Sequence, residues 1–512
     1  MKKVLPILLC VATAYFAKAQ SVGIGTTTPN GSSILDLSSS SRGFLPPRMA
    51  TSQRLAITNP VAGLMVYDTT TDTYWFFENG KWNELVSSNK LALQIPTNRI
   101  DPGGDAGDNF GFSVSLGGTG SSGYVGAPML SNGGTGACYR ISYTDNNLWT
   151  ISSVNPAGLA AGDAYGYAVS MDRVNGSTDG IISAPFDDSS TVTSMGSVYF
   201  FNSVSFLNKM YAPAGSRITG ALFGLSVDMS SKTSSDKGYA IVGAPGANSN
   251  RGAAFIYQFN PNTNVWDFEA TLTDINGAAG DSMGTAVSLY YDVTGDTAWA
   301  FVGSPYDDEN SVTDIGSVIV FRKAAGSAVW TRVAKLVPSQ AADMHFGASI
   351  SNVMRCGQVL IGAPFRNGSI GQVYAASLTA LGGSTATFAV AALPGMSGGS
   401  AGNGSPGIGY RVSAMAESTI SCDIYALAGS FSGLIASNSG ASFGVAGLYK
   451  FSNGSWSFVE KLTDPEVETT GYGFGRAVSL HTGQKVMTIG APNQTIEGMA
   501  NRGKVQFRKL QF

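Results

Sequence analysis

The sequence is poor in the side chains that most enzymes and metal sites use. It has 2 histidines and 4 cysteines among 512 residues, and charged residues make up only 13% of the chain, against about 25% in ordinary domains. The formal net charge is −3, and the lysines and arginines form no block. A near-neutral chain of this kind is not expected to bind nucleic acid or an anionic membrane.

Apolar runs long enough to span a membrane are missing after the N-terminus, because no later run reaches the roughly 18 residues that a spanning helix needs. Residues 1–19 instead carry a secretory signal pattern: a lysine pair, the apolar stretch LPILLCVATAYF and the small-x-small tripeptide AKA. We expect cleavage before Gln20. The mature protein is then secreted or held at the cell surface through partners, without an integral membrane segment.

The cysteines do not suggest a disulfide framework. Cys10 lies within the expected signal, which leaves Cys138, Cys356 and Cys422, and an odd number cannot pair completely. Cys356 and Cys422 precede corresponding strands of neighbouring repeats. Such points are expected to lie farther apart than the ~7 Å limit on the Cα separation of a disulfide. We therefore predict buried, unpaired thiols.

Glycine and aromatic residues are abundant, with 65 glycines, 26 phenylalanines and 20 tyrosines, and they occur in a repeated pattern. The clearest copy runs from Gly280 to Arg322. A Phe-Gly-like pair opens the run TAVSLYY, and a second run, AWAFV, ends in Gly-Ser-Pro. The Gly-led run SVIVF and then VWTRVAKLV follow. Each run has strand length and is bounded by Gly, Pro, Asp or Ser, so the unit predicts four short strands.

The opening pair of this unit occurs seven times, about 60 residues apart, a spacing that is typical of propeller blades and too long for one coil of a β-helix. Its copies are Phe110-Gly111, Tyr165-Gly166, Phe223-Gly224, Met283-Gly284, Phe346-Gly347, Ile408-Gly409 and Phe474-Gly475. A Gly-Ala-Pro-like element ends the second strand of every unit except the sixth, which has Gly429-Ser430-Phe431. Glycine lets two backbones approach closely, and proline ends a strand.

These units resemble FG-GAP repeats, the blades of integrin α-subunit-type propellers, over residues 89–512. The resemblance implies an all-β fold, a seven-bladed β-propeller. The seventh unit ends at GKVQFRKLQF and so lacks an outer strand. We predict that the N-terminal segment Leu91–Pro96 pairs with Val505–Leu510 and closes the ring, because an unpaired edge would favour aggregation.

Residues 20–88 differ from the repeats, since they are rich in Ser and Thr and look extended. SQRLAIT predicts a short helix, and Asn79-Gly80 between two apolar runs predicts a hairpin with a type I′ turn. The stretches GFLPPRM, QRLAI, NPVAGLMVYD and NGKW resemble an N-terminal module of secreted Bacteroidetes proteins and of phage tail-fibre-like proteins. The resemblance implies an attachment or homo-oligomerisation segment, such as a trimer. So short a segment buries little core alone; a flexible stalk is the alternative.

The propeller resemblance suggests calcium as a cofactor, since integrin-type blades often hold it in the loop between their first and second strands. The nearest remnant of such a loop is Asp292, Thr294 and Asp296. The position of a later carboxylate holds Trp299 or Ala300, and Ca²⁺ needs about 6–8 oxygen ligands. We therefore expect no calcium and no other cofactor.

Acidic residues flank two points of the repeat that lie at the same rim, because the first and second strands are antiparallel. They are Asp108, Asp163, Asp281 and Asp343 before the Phe-Gly-like pair, and Asp187, Asp188, Asp307, Asp308 and Glu309 after the proline. The functional hypothesis is a rim that binds a cationic or metal-bridged ligand, at the mouth where, by resemblance, integrin-type propellers meet ligands. The alternative is that these residues cap turns and solubilise loops.

Signs of catalysis are few. His345 and His481 are distant in sequence and are expected in loops, and neither a nucleophile elbow nor a P-loop nor a Cys/His cluster is present. We predict a non-catalytic, secreted or cell-surface binding or adhesion protein that presents its propeller to a protein or glycan ligand. Two alternatives stay open: a propeller enzyme that acts on polysaccharide, and a phage-tail-like receptor-binding or structural fibre component.

Overall fold

The computed structural model describes most of the chain between Val22 and Leu510. The described residues are 22–70, 73–78, 80–85, 97–100, 105–117, 120–129, 134–144, 148–174, 177–189, 191–202, 204–231, 238–292, 294–309, 311–339, 344–365, 371–395, 407–417, 422–430, 444–464, 473–482, 485–496 and 499–510. The chain divides into two compact units, Met1–Ala92 and Leu93–Phe512. Within the described ranges, no helix is both long and apolar enough to cross a membrane.

The N-terminal unit consists of short strands and one helical turn. Its elements are β1 (Val22–Ile24), β2 (Leu35–Leu37), β3 (Arg48–Met49), α1 (Thr51–Leu55), β4 (Met65–Asp68), β5 (Thr73–Glu78) and β6 (Lys81–Leu85). Strands β1 and β2 form a parallel pair, and β3-β4-β5-β6 form one sheet. Helix α1 confirms the helix predicted from SQRLAIT. The predicted hairpin is also present, because Glu78 pairs with Lys81 across a two-residue loop and Gly80 has the positive φ of 76° that a type I′ turn needs.

A buried ion pair organises the small core of this unit. Arg54 on α1 is 4% exposed, and its Nε donates a 2.9 Å hydrogen bond to the fully buried carboxylate of Asp68. The hydroxyl of Thr51 donates to the same carboxylate at 2.8 Å. The guanidinium lies 3.9 Å from the ring centroid of Trp75. A carboxylate and an aromatic face both favour a guanidinium, so this cluster fixes α1 on the sheet.

The C-terminal unit contains seven four-stranded antiparallel sheets. Its first strand, β7 (Thr97–Ile100), belongs to the last sheet. Six sheets follow in chain order: β8 (Ser113–Leu116), β9 (Ser122–Ala127), β10 (Ala137–Thr144), β11 (Leu148–Ser153); β12 (Val169–Val174), β13 (Ser177–Ala184), β14 (Ser197–Asn202), β15 (Ser205–Met210); β16 (Ser226–Ser231), β17 (Gly238–Ala244), β18 (Ala253–Asn260), β19 (Val265–Leu272); β20 (Ala286–Asp292), β21 (Thr297–Ser304), β22 (Ser317–Lys323), β23 (Trp330–Leu336); β24 (Ser349–Val353), β25 (Gln358–Ala363), β26 (Gln372–Leu381), β27 (Ala386–Ala392); β28 (Arg411–Ala416), β29 (Ile424–Ser430), β30 (Val445–Ser452), β31 (Ser455–Leu462). The seventh sheet holds β32 (Ala477–His481), β33 (Val486–Ala491) and β34 (Lys504–Lys509). Short turns occur at Ala214–Ser216 and Met354–Cys356, which are 3₁₀, and at Ala247–Asn250.

The seventh sheet is completed by an N-terminal strand, as predicted, but the residues differ from those expected. Strand β7 pairs antiparallel with β34 from Lys504↔Ile100 to Phe507↔Thr97, whereas the prediction gave this place to Leu91–Pro96, which lies outside the described residues. The apolar run LALQIP looked more strand-like than TNRI. Pairing at an edge depends on backbone donors and acceptors rather than on apolar content, and this overrode the composition.

Neighbouring sheets meet through their first strands and through the aromatic-glycine pairs. Strand β8 contacts β12, and the same contact recurs through β16, β20, β24, β28 and β32; β32 in turn contacts β8. Phe110, Tyr165, Phe223, Phe346 and Phe474 are completely buried. One apolar cluster contains Phe110 and also Val505 and Phe507 of the seventh sheet. Each buried aromatic contributes about 3 kcal/mol relative to exposure.

Two glycines bring the backbones of the first and seventh sheets together. Gly111 has φ +90°, in the left-handed region that favours glycine. A Cβ built on Gly490 would lie only 2.0 Å from the Gly111 carbonyl oxygen. The sixth sheet, which lacks Ala-Pro, keeps its glycine at Gly429, where a Cβ would lie 2.0 Å from the carbonyl oxygen of Gly475. The repeat therefore preserves the residue on which the close approach depends.

The prediction of three unpaired thiols is wrong for two of them. Cys356 and Cys422 form a disulfide with a Cα–Cα distance of 5.5 Å. Each lies two residues before the second strand of its sheet, near the contact between the first strands β24 and β28. Equivalent points of adjacent sheets are closer together there than the prediction assumed. Cys138 is a buried free thiol, as predicted, and burial raises its pKa.

Candidate functional site

Three of the predicted rim carboxylates cap turns ahead of the aromatic-glycine pairs. Asp108, Asp163 and Asp281 are buried. Each accepts a hydrogen bond from the backbone N–H three residues earlier, at 2.5, 2.8 and 2.6 Å respectively. This repeated contact is the capping role that short acidic side chains commonly have. Asp343, the fourth member of the set, lies outside the described residues.

In the second sheet, the rim carboxylate Asp187 is held by two internal partners. It accepts a short hydrogen bond from the Ser197 hydroxyl and pairs with Lys209 Nζ at 2.5 Å. Burial alone would lower the pKa of Lys209, but the hydrogen bonds that it makes with Asp187, Tyr199 and Tyr211 together outweigh burial and raise that pKa. The exposed Asp188 accepts the backbone N–H of Ser194 at 2.6 Å.

The fourth sheet repeats this arrangement and extends it. Asp307 accepts a short hydrogen bond from Ser317 and pairs with Lys335 Nζ at 2.8 Å. Lys335 also pairs with Glu309 at 2.5 Å. Asp308 accepts the backbone N–H of Asp314 at 2.9 Å. In both sheets the loop carboxylates thus have partners within their own sheet.

The structure brings the two halves of each predicted acidic set together within a sheet. Burial raises the pKa of Asp163, and the charges of Asp187 and Asp188 raise it further. The same holds for Asp281, beside Asp307 and Asp308. Like charges that face one another favour protonation. The shared rim is therefore present in these two sheets, and ligand capture by it stays a prediction.

The calcium remnant is engaged in local contacts. Asp292 accepts the backbone N–H of Thr294 at 3.0 Å, and Asp296 accepts the Tyr291 hydroxyl at 2.6 Å. No group of three or more His, Cys, Asp or Glu side chains suited to a metal ion occurs in the described part of the chain.

The two histidines lie in different settings. His345 is in a turn with φ +53°, and its ring lies 4.7 Å from that of Tyr306 and 4.7 Å from that of Phe365. His481 is buried as the last residue of β32, so the expectation of a loop is wrong for that residue.

A cavity that sequence reasoning missed is lined by the first strands of all seven sheets. Its volume is about 230 Å³. Each strand contributes a triplet with a branched residue in the middle and, in six sheets, serine in the third place: SVS, AVS, AVS, SIS, RVS and AVS. The third sheet has Ser226-Val227-Asp228 instead. The recurrence of this triplet was the available signal.

The third residues of the triplets form a ring of hydrogen bonds between sheets. In six cases the side-chain oxygen accepts the backbone N–H that follows the triplet of another first strand, and at Ser288 it accepts Nδ2 of Asn352; the distances are 2.8–3.2 Å. The acceptors are Ser115, Ser170, Asp228, Ser288, Ser351, Ser413 and Ser479, and the bond from Ser479 returns to Leu116 of the first sheet. Serine or aspartate is needed here because each supplies an acceptor for a strand N–H.

Cationic and aromatic side chains gather at the end of the cavity where the first strands begin. Arg411 lines the cavity, and its guanidinium lies 4.7 Å from the ring centroid of Tyr410. The guanidinium of Arg476 lies 4.8 Å from the same ring and 4.3 Å from that of Phe112. The ring of Phe112 in turn lies 4.9 Å from that of Tyr167. We call Phe112, Tyr167, Tyr410, Arg411 and Arg476 the cavity mouth.

Comparison with family models finds a similarity in the N-terminal part of the chain. Residues 23–98 match the family model of a phage tail-like trimerisation region. The match runs from the second residue of β1 through β6 to the second residue of β7, and it supports the tail-fibre-like resemblance of the N-terminal unit. No curated protein matches the chain.

Proposed function

We propose that the protein is a secreted homotrimer that presents three seven-bladed β-propellers to a ligand, as a tail-fibre-like receptor-binding component does. The match of residues 23–98 to a trimerisation region carries this proposal. The seven repeated sheets that follow supply the binding platform.

Exposed apolar side chains in the N-terminal unit support association with further copies. Soluble monomers rarely leave such side chains clustered in water, and this unit is too small to bury them itself. They occur throughout the segment from Val22 to Met65: Val22, Ile24, Ile34, Leu35, Leu37, Phe44, Leu45, Leu55, Val61 and Met65. Two further copies of the same segment are the occupants that the family match indicates.

Three contacts between the first and seventh sheets are the basis for proposing a propeller. Strands β8 and β32 touch, Gly111 approaches Gly490, and the serine ring returns from Ser479 to Leu116. Seven sheets joined in this cyclic order suit a propeller, which leaves only short, protected edges.

Secretion is proposed from the signal pattern at residues 1–19 and from the disulfide. Disulfides persist in oxidising compartments and are rare in the cytosol, and Cys356–Cys422 is such a bond. The enzyme alternative gains no support from the described rim, because its carboxylates cap turns or pair with lysines. We therefore favour binding without catalysis.

The molar mass of the mature chain tests the trimer. Light scattering coupled to size exclusion is expected to give three times the mass of one chain. Ile34 is 87% exposed, and Ile34→Glu places a charge at each of three equivalent interface positions, where burial is costly. This variant is expected to dissociate to single chains.

Ile275, in the C-terminal unit, provides the matched control because it is 89% exposed. Ile275→Glu is expected to stay trimeric. A wild-type mass equal to one chain at every concentration would refute trimerisation. If Ile34→Glu remains trimeric, the trimer interface does not lie in this apolar segment.

A further inference from the structure

One position of the cavity lining breaks the pattern of the other six sheets. The first residue of the triplet is small in those sheets: Ser113, Ala168, Ser226, Ala286, Ser349 and Ala477. In the sixth sheet this residue is Arg411. Arginine therefore replaces a small residue at one position of a cavity lining that also contains Phe112, Tyr167 and Asp228.

No ion pair joins Arg411 to a carboxylate among the described residues that line the cavity. Asp228 is the carboxylate among them, and its oxygens accept hydrogen bonds from Met229, Leu289 and Ser170. Arg476 adds a second positive charge at the cavity mouth. Burial lowers the pKa of Arg476, and the nearby charge of Arg411 lowers it further. Two guanidinium groups that repel one another favour an anion between them.

Among the described residues, most donors of Arg411 have no hydrogen-bond partner. Its Nη1 donates to the Tyr410 carbonyl oxygen at 2.9 Å, and a guanidinium carries five N–H groups in a planar fork. The ring centroid of Tyr410 lies 4.7 Å from the guanidinium, and the ring limits the movement of the Arg411 side chain. An arginine held in this way is organised for two parallel hydrogen bonds to a carboxylate.

We propose that the cavity mouth binds a small organic carboxylate of the acidic-sugar class, with its carboxylate on Arg411. The half-buried ring of Tyr167 lines the cavity and offers an apolar surface for a sugar ring, while the buried ring of Phe112 packs behind it. A volume of about 230 Å³ is below the range of drug-sized pockets and suits one ring. This deepens the proposed function by naming its ligand class, and it does not require the trimer.

Calorimetric titration of the mature protein with D-glucuronate tests the proposal, with D-glucose and inorganic phosphate as comparison probes. We expect saturable binding of glucuronate, weaker binding of phosphate and none of glucose. Arg411→Ser introduces the residue found in three other sheets and should fold. It is expected to weaken glucuronate binding about 10- to 100-fold, the usual effect of losing hydrogen bonds to a charged group. Arg411→Lys keeps the positive charge but loses the planar fork of N–H groups, so its affinity for glucuronate should lie between those of the wild type and Arg411→Ser.

Arg355→Ser makes the same change of charge at an exposed residue after the far end of β24 and should bind as the wild type does. Absence of glucuronate binding, equal binding of phosphate, or unchanged binding by Arg411→Ser would each overturn the proposal. A measured trimer mass alongside such a result would leave the proposed assembly standing.

Discussion

Replacing Asp228 with serine is expected to remove a loss of folding stability that the wild type suffers as pH rises. Asp228 occupies the place in the hydrogen-bonded ring that serine has in the other six sheets. Its carboxylate accepts the backbone N–H of Leu289 at 2.8 Å and the hydroxyls of Ser170 and Ser288 at 3.1 and 3.3 Å. Serine can still accept the strand N–H, so Asp228→Ser keeps the ring and loses the charge.

The size of the effect follows from the pKa of this carboxyl. Burial raises the pKa of Asp228 from 3.8 to about 6, although hydrogen bonds to the carboxylate oppose the rise. Such a group binds its proton more tightly in the folded state. Stability therefore falls as pH rises from about 4 to 6 and is level above that. Each pKa unit corresponds to about 1.4 kcal/mol, which gives an upper figure of about 3 kcal/mol. Because the side chain lines a cavity and is only half-buried, we expect about 2 kcal/mol.

Urea unfolding of the wild type and Asp228→Ser across this pH range measures the effect. The difference in free energy of unfolding should shift by about 2 kcal/mol in favour of the variant between pH 4 and pH 7. Asp267→Ser removes an exposed carboxylate from β19 of the same sheet and serves as the control. A difference between wild type and Asp228→Ser that does not change with pH would refute the assigned penalty.

Three further changes test the contacts between sheets, each by urea unfolding. Cys356→Ser removes a disulfide between residues 66 positions apart and should lower the free energy of unfolding by about 4 kcal/mol. The reduced wild type should be as stable as the variant. An equal urea midpoint for the oxidised wild type and the variant would contradict a stabilising role of the disulfide. Gly490→Ala places a methyl group against the carbonyl oxygen of Gly111 and should lower the free energy of unfolding by about 2 kcal/mol. Gly383 has open space around it, so Gly383→Ala should leave the free energy of unfolding nearly unchanged. Lys504→Met breaks the buried ion pair between Lys504 and Asp464, 2.7 Å apart, and should lower the free energy of unfolding by about 3–5 kcal/mol. Adding Asp464→Leu should restore most of this stability, because it removes the unpaired buried carboxylate. If stability is not restored, the unpaired charge is not the cause of the loss.

The repeat made much of the fold predictable. A Phe-Gly-like pair, followed in six of the seven units by a Gly-Ala-Pro-like element, meets two local requirements, a buried side chain and a close backbone approach. It therefore marks the sheets directly in the sequence. The position of the last strand was harder to predict. TNRI is short and only half β-branched, and it forms strand β7 because β34 offers it backbone partners.

The sites were less predictable than the fold because they depend on distances between repeats. The Cys356–Cys422 bond required knowing how close adjacent sheets come near their first strands. The acidic residues were easy to find, but spacing alone did not reveal that Lys209 and Lys335 neutralise two of them. Arg411 is visible only once the seven triplets are aligned and the cavity that they share is known.

The pairing of β7 with β34 gives the molecule a mechanical weak point. Tension applied along the chain from its N-terminal side reaches β7 before any other described strand of the C-terminal unit, and the four residue pairs between β7 and β34 resist it there. Unfolding under force follows the rate at which the first structure yields. If the protein is pulled from its N-terminal side, as a trimer bound to a ligand would be under the proposed function, the seventh sheet is expected to lose strand β7 first.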